Sequence, residues 1–170
     1  LWVAQLGLQK LGAKIIHTLP GRTKELQIPI LLGKFERDMK PTAVTSLANY
    51  LLRIAEVARE EGIDPRDFGI KKILYSSAME VLSERKRSIL EKSYNSNCYD
   101  GIGLVEVSGG PSLASECEER NGLHVWENYF IPEIIDPKTT ERLGPEEEGE
   151  LVITSLESVA HPIIRYRTGN

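Results

Sequence analysis

The stretch DGIGLVEV, residues 100–107, places several residues together that could do chemistry. Gly101 and Gly103 permit a tight turn or a close approach of backbone to a ligand. Glu106, just beyond them, is a hard oxygen ligand of the kind that holds a magnesium ion bridging phosphates. No Gly-Lys-Ser/Thr follows, so this is not the Gly-rich phosphate loop of the nucleoside-triphosphate enzymes. A second candidate is Ala78, Met79, Glu80 and Val81, after the strand-like run KKILYSS and before a helix start at Ser83. It reads either as a strand-to-helix loop or as a loop packed on the face of a bound base, with Glu80 oriented by helix-start amides. Ligands of parallel α/β folds gather beyond the carboxyl ends of strands, and both segments occupy that position.

Two further groups carry less. Cys117 and His124 offer two zinc ligands where four are required, and Cys98 is the only other soft one. A buried cysteine and a hydrogen-bonded histidine are the commoner explanation. Arg165 and Arg167 alternate near the end of the chain and either direct a guanidinium towards an anion or form surface ion pairs.

The elements that must position these residues follow from the apolar pattern. Val3, Leu6 and Leu11 suggest a first helix closed by Gly12, and AKIIHTL (13–19) reads as a short buried strand. Thr23 can cap a helix carrying Leu26, Ile30, Leu31 and Phe35, with a kink or restart at Pro29. PTAVTSL is a strand. Leu51, Leu52, Ala55 and Ala58 mark one face of a helix that Gly62 ends. KKILYSS (71–77) is a strand, LSERKRSILEKSY a helix capped by Ser83, and SNCYD another short strand. Strands alternating with helices in this way predict parallel βαβ units, rich in Ile, Val and Leu because both faces are covered. From residue 122 the chain alternates apolar and polar residues through HVWENYFIPEIIDP, passes the acidic turn GPEEEGE and returns as ELVITSL, which predicts an antiparallel hairpin. The expected fold class is therefore α/β, a layered parallel-sheet unit (1–121) followed by a β-rich segment (122–170).

Composition limits the partners. A net charge of -4 argues against a dedicated nucleic-acid binder, and no apolar run approaches the length of a membrane span. Without a signal-peptide pattern, the cytoplasm is the expected compartment. The chain begins at Leu1 within what reads as a helix under way and stops at Asn170 directly after a strand. It is expected to be a piece of a longer protein, with the remainder of that chain among its partners and a homodimer also open to it.

The sequence resembles the phenylacetate-CoA ligase branch of the adenylate-forming enzymes. The resemblance is carried by SECEERNGLHVWENYFIPEIIDP (115–137), EEEGELVITSL and HPIIRYRTGN, and more loosely by MKPTAVTSLANYLLRIAEVAREEGIDP; it extends over residues 5–170. Such enzymes use ATP and magnesium to convert a carboxylic acid, typically an aryl acid, to an acyl-adenylate, then pass the acyl group to coenzyme A. The resemblance implies that Ala78, Met79, Glu80 and Val81 match the family's adenine loop, Gly-Ala-Glu-Pro, of which only the glutamate is kept. Asp100, Ile102, Gly103, Val105 and Glu106 match Asp-x-Tyr-Gly-x-Ser/Thr-Glu, with Glu106 as the catalytic and magnesium-binding residue. Tyr166 to Asn170 match Tyr-Arg-Thr-Gly-Asp, whose aspartate holds the ribose hydroxyls. The glycines of 101–110 would floor the acyl pocket.

The departures all bear on ATP. Ile102 lacks a ring to stack, Val105 lacks a hydroxyl for a phosphate oxygen, and Asn170 lacks the charge that accepts two ribose hydroxyls strongly. Each lost charge-assisted hydrogen bond costs about 1.5 to 3 kcal/mol, although neighbouring losses do not simply add. The family's phosphate loop and its lysine-bearing C-terminal domain have no counterpart here, so this chain alone is not expected to complete the reaction. Two other readings compete: a degenerate relative that binds an acyl or nucleotide ligand or a partner protein, and, more weakly, a dinucleotide-binding oxidoreductase, for which the Gly-rich fingerprint is missing.

Overall fold

The computed structural model describes residues 2–18, 21–34, 39–77, 83–108 and 113–170. Helix α1 (Trp2–Lys10) ends at Gly12, whose φ of +82° suits glycine. Thr23–Gln27 winds as a π-helical turn that tightens into α2 (Ile28–Leu31), with Pro29 in the first α-helical turn. The first sheet then assembles from β1 (Ala43–Ser46), β2 (Lys72–Ser77), β3 (Asn97–Ile102), β4 (Ala114–Ser115) and β5 (His124–Val125), in that spatial order. β1, β2 and β3 are parallel neighbours; β4 and β5 add on antiparallel.

The two helices between the parallel strands form as their sequences demand. In α3 (Ala48–Glu60), Leu51, Ala55 and Ala58 are fully buried at helical spacing, while Arg53 pairs with Glu56 and Glu60 on the outer face. Gly62 follows with φ +74°. α4 (Glu84–Tyr94) is capped by Ser83, whose hydroxyl accepts the Lys86 amide at 3.3 Å. Its inner face presents Leu90 and Tyr94, and the Tyr94 hydroxyl donates to the Leu51 carbonyl at 2.6 Å, tying the two helices together. These residues, with Phe68 and Ile73, form the main core, and each large apolar side chain buried there contributes roughly 1.5–3 kcal/mol.

The second sheet is antiparallel: β6 (Phe130–Ile135), β7 (Glu150–Ser155) and β8 (Tyr166–Arg167). Asp136 turns the chain after β6 by accepting the amides of Lys138 and Thr139 at 2.7 and 2.9 Å. Gly149 enters β7 where a Cβ would stand 2.4 Å from the Ile135 carbonyl oxygen, so the hairpin closes only on glycine. A smaller apolar cluster joins the two sheets, with Val107, Leu113, Phe130, Ile153 and Ile163 at its centre and Ile102, Leu104 and Tyr166 packed against it.

The architecture corrects several expectations. Residues 13–18 of the AKIIHTL run are neither strand nor buried; no strand pairs with the outer edge of β1 among the described residues, and Ile16 is exposed. Thr23 does not cap: the position before the π turn is Arg22, and no side chain caps it. The expected parallel βαβ units are present in β1–β3, and β4 and β5 extend that sheet antiparallel. β5 belongs to it, so the change of sheet falls between Val125 and Phe130, later than the composition shift near residue 122. Among the described residues no helix is long and apolar enough to cross a membrane.

Candidate active site

The parallel register sets the candidate segments side by side. Ser77, the last residue of β2, pairs with Ile102, the last of β3, so the chain leaves both strands at the same edge of the sheet. From there β2 leads to Ala78, Met79, Glu80 and Val81, which lie outside the described residues, as do Gly109 and Gly110.

β3 leads to the 102–106 segment. Gly101 and Ile102 are strand residues paired on both sides, with Ser76 and Ser77 on β2 and with Ser115 and Ala114 on β4. The expected loop therefore starts later, at Gly103, and neither Gly101 nor Gly103 adopts a positive φ. After Leu104 the chain makes the single turn α5 (Val105–Ser108). Val105 is 79% exposed, and the Glu106 carboxylate is exposed and engages in no hydrogen bond or ion pair with the described residues. Ile102 points the other way, into the cluster that joins the sheets. An open cleft of about 390 Å³ adjoins this turn, lined by Val107, Trp126, Tyr129, Phe130 and Ser155.

The closing segment is anchored through β7. The Leu151 amide donates to the Asn170 carbonyl at 2.8 Å, and the Thr168 amide and hydroxyl both donate to the Leu151 carbonyl, at 3.1 and 2.8 Å. The exposed Asn170 side chain donates through Nδ2 to the Thr168 carbonyl at 3.3 Å, which leaves its Oδ1 as an acceptor. Tyr166 packs in the same apolar cluster as Ile102, so one cluster supports both the β3 end and the strand that precedes Asn170. Arg165 and Arg167 take the ion-pair alternative: Arg165 Nε reaches Glu133 at 3.1 Å and Arg167 Nε reaches Glu150 at 3.0 Å.

Asp100 is buried, and its Oδ1 accepts the amide of Gly101 at 2.8 Å. Its main chain is gripped by Glu116, whose Oε2 accepts the Asp100 amide at 2.8 Å and whose own amide donates to the Asp100 carbonyl at 2.9 Å. Glu116 in turn receives a two-pronged contact from the buried Arg87 guanidinium, at 2.9 and 2.6 Å. Burial pushes the Glu116 carboxyl up, but the hydrogen bonds from Arg87 and from the Asp100 amide outweigh it and hold the group below its ordinary value. The carboxylate of Glu116 raises Arg87 correspondingly. Cys98 is buried beside them, and burial pushes its thiol up to about 12, which keeps it protonated and unreactive.

No zinc site forms. Cys117 and His124 are both exposed, which also corrects the expectation of a buried Cys117, and no group of three potential ligands exists among the described residues.

No protein-family model matches the chain. Over 166 residues it is 36% identical to the phenylacetate-coenzyme A ligase of Pseudomonas putida and 37% identical to that of Aromatoleum evansii. Each match takes in 97% of this chain. Over almost its whole length the chain is similar to the phenylacetate-coenzyme A ligases. It spans 36% of the length of each of those relatives. A crystal structure of 2-hydroxyisobutyryl-CoA ligase in an open conformation, in complex with 2-HIB-AMP and CoA, superimposes with a TM-score of 0.87 and 28% identity, over 99% of this chain and 36% of that one. An anthranilate CoA ligase in complex with anthranoyl-AMP has a TM-score of 0.57 at 15% identity over 81% of this chain and 25% of its own, a likeness of fold alone. The α/β architecture is thus that of the adenylate-forming CoA ligases.

In this phenylacetate-CoA ligase-like chain the residues that sequence reasoning missed are Arg87 and Glu116. They sit 29 positions apart among 21 basic and 25 acidic residues, and no periodicity singles them out. The available signal was that Arg87 falls on the same helical stripe as Leu90 and Tyr94, where a charged residue needs a partner.

Proposed function

We propose that this chain is part of an ATP-dependent acid:CoA ligase that converts a small carboxylic acid, typically an aryl acid, to an acyl-adenylate and then to an acyl-CoA thioester. The observation that carries the reading is identity of 36% to a phenylacetate-coenzyme A ligase across 97% of the chain, with the candidate segments at one sheet edge. Residues 78–81 and Gly103 are the adenine contacts in this reading, and Ile102, expected among them, instead packs beneath in the apolar cluster. Asp100 stiffens the strand end that presents them. Val105 lies against the phosphates, where its methyl groups offer no hydrogen bond. Asn170 accepts ribose hydroxyls through Oδ1, one oxygen where a carboxylate would present two. The apolar cleft beside Val107 and Tyr129 takes the acyl group. The α/β unit and the β-rich segment, which change over between Val125 and Phe130, meet around that cleft.

An exposed carboxylate without a partner among the described residues fits a magnesium ligand, and Glu106 is that residue. Magnesium, when bound, would offset charge on the phosphate oxygens. The acid's carboxylate is the nucleophile at the α-phosphorus, and pyrophosphate leaves. The cytoplasm is the proposed compartment, and coenzyme A the acyl acceptor.

The test is carboxylate-dependent exchange of labelled pyrophosphate into ATP by the native polypeptide that carries this sequence, with phenylacetate and benzoate as probes. Exchange that depends on the acid and falls at least about a hundredfold in Glu106→Gln supports the reading. No exchange with any acid would favour the second reading, a non-catalytic relative that binds a ligand or partner, which Ile102, Val105 and Asn170 support by their departures from the family pattern.

A further inference from the structure

The outer edge of β3 is sealed by side chains where a neighbouring strand would be expected. β4 pairs with β3 only at Gly101 and Ile102. Below that point the main-chain groups that face outwards belong to Cys98 and Asp100, and each finds a side chain or an amide from elsewhere. The Cys98 amide donates to Glu91 Oε1 at 3.0 Å, and the Cys98 carbonyl accepts Arg87 Nη1 at 2.8 Å. The Asp100 amide and carbonyl are both held by Glu116. Arg87 and Glu116 are themselves locked together, with side chains 9% and 6% exposed. Arg87 Nε is the one atom left over, buried without a hydrogen bond and 3.8 Å from the exposed Glu84 carboxylate.

Physical chemistry makes this costly unless something is gained. Two desolvated charges are often replaceable by apolar residues without loss of stability, so the pair is weak evidence for a purely stabilising role. Its geometry points instead to position. Two residues separate Asp100 from Gly103, where the chain leaves the sheet, and four separate it from Val105. A planar guanidinium fork and a carboxylate fix an edge in register more tightly than packing does.

We propose that Arg87 and Glu116 are positioning residues: a side-chain splint that holds the end of β3 and thereby sets where the Gly103–Glu106 turn presents itself to nucleotide. The catalytic part of this inference rests on the function proposed above; the structural part does not.

The experiment compares the native polypeptide with Arg87→Lys, which keeps the charge but loses the fork, and with the apolar double variant Arg87→Met/Glu116→Leu, which removes both buried charges. Two readouts are taken: hydrogen exchange of the Gly101–Glu106 amides against those of Leu51–Ala58 in α3, and the KM for ATP against the KM for the acid. In both variants the Gly101–Glu106 amides should exchange on the order of tenfold faster while α3 is unchanged, including in the double variant after its melting temperature has recovered. The KM for ATP should rise by a similar factor, with the KM for the acid within about twofold. If the double variant does not fold, Arg87→Lys alone decides. Unchanged exchange at Gly101–Glu106 in a folded variant overturns the splint. Faster exchange in a native protein that activates no acid leaves the splint standing and defeats the proposed function instead.

Discussion

The interior of the first sheet and the junction between the two sheets are held by different means. Around Leu51, Phe68, Leu90 and Tyr94 the main core excludes water completely, and four of its largest side chains are at most 1% exposed. The junction has a smaller cluster, a three-stranded sheet with a two-residue final strand, and ion pairs at its rim. The candidate chemistry lies on the junction side. Val105, Glu106 and Asn170 are exposed there, so their identities are almost free of folding constraint. A fold can therefore keep its architecture while exposed residues such as Val105 and Asn170 change.

The sharpest way to break this comparison is to remove the charge beneath the junction. Glu116→Leu leaves Arg87 buried and uncompensated and should cost about 3–5 kcal/mol, measured by denaturant unfolding. Its pH dependence has a definite sign. Because the folded carboxyl sits below its ordinary value, its contribution is fully present above that ordinary value and is lost as pH falls through the lower, folded one. The wild-type protein should lose stability on acidification over that window, and Glu116→Gln should show a flatter acid limb. In the core, Leu51→Ala opens a cavity beneath a fully buried position and should cost about 2–5 kcal/mol by the same method. At the rim, Arg167→Ala breaks the pair that the half-exposed Arg167 makes with Glu150 and should have the smallest effect of the series by the same method, smaller still in high salt.

The gradient from core to rim also explains what the sequence made legible. The Leu51, Ala55, Ala58 stripe, Gly62 as a stop and Ser83 as a cap are local signals, and each element formed where its signal lay. The common edge at which β2 and β3 end followed from the same alternation, because a parallel register puts Ser77 beside Ile102. The rest depended on partners remote in sequence. Ile15 and Ile16 look like strand residues, yet a strand needs a neighbour and that segment pairs with none among the described residues. Gly101 looks like a turn residue, yet it is held as strand by pairing on both sides. His124 and Val125 look like the start of the second sheet, but β4 captures them for the first. The pairing of Arg87 with Glu116 could not be read because only the fold brings them together, although Arg87's place on the buried stripe of its helix called for some partner.

The most direct measurement is calorimetric binding of ATP with magnesium to the native polypeptide and to its Val105→Ser/Asn170→Asp double variant. Both positions are exposed, so stability should change by no more than about 0.5 kcal/mol. The account predicts that the variant binds ATP at least about tenfold more tightly, since a hydroxyl and a carboxylate are added where phosphate and ribose are expected. Equal affinity for the two proteins, with both folded, would contradict the placement of nucleotide at this edge of the sheet.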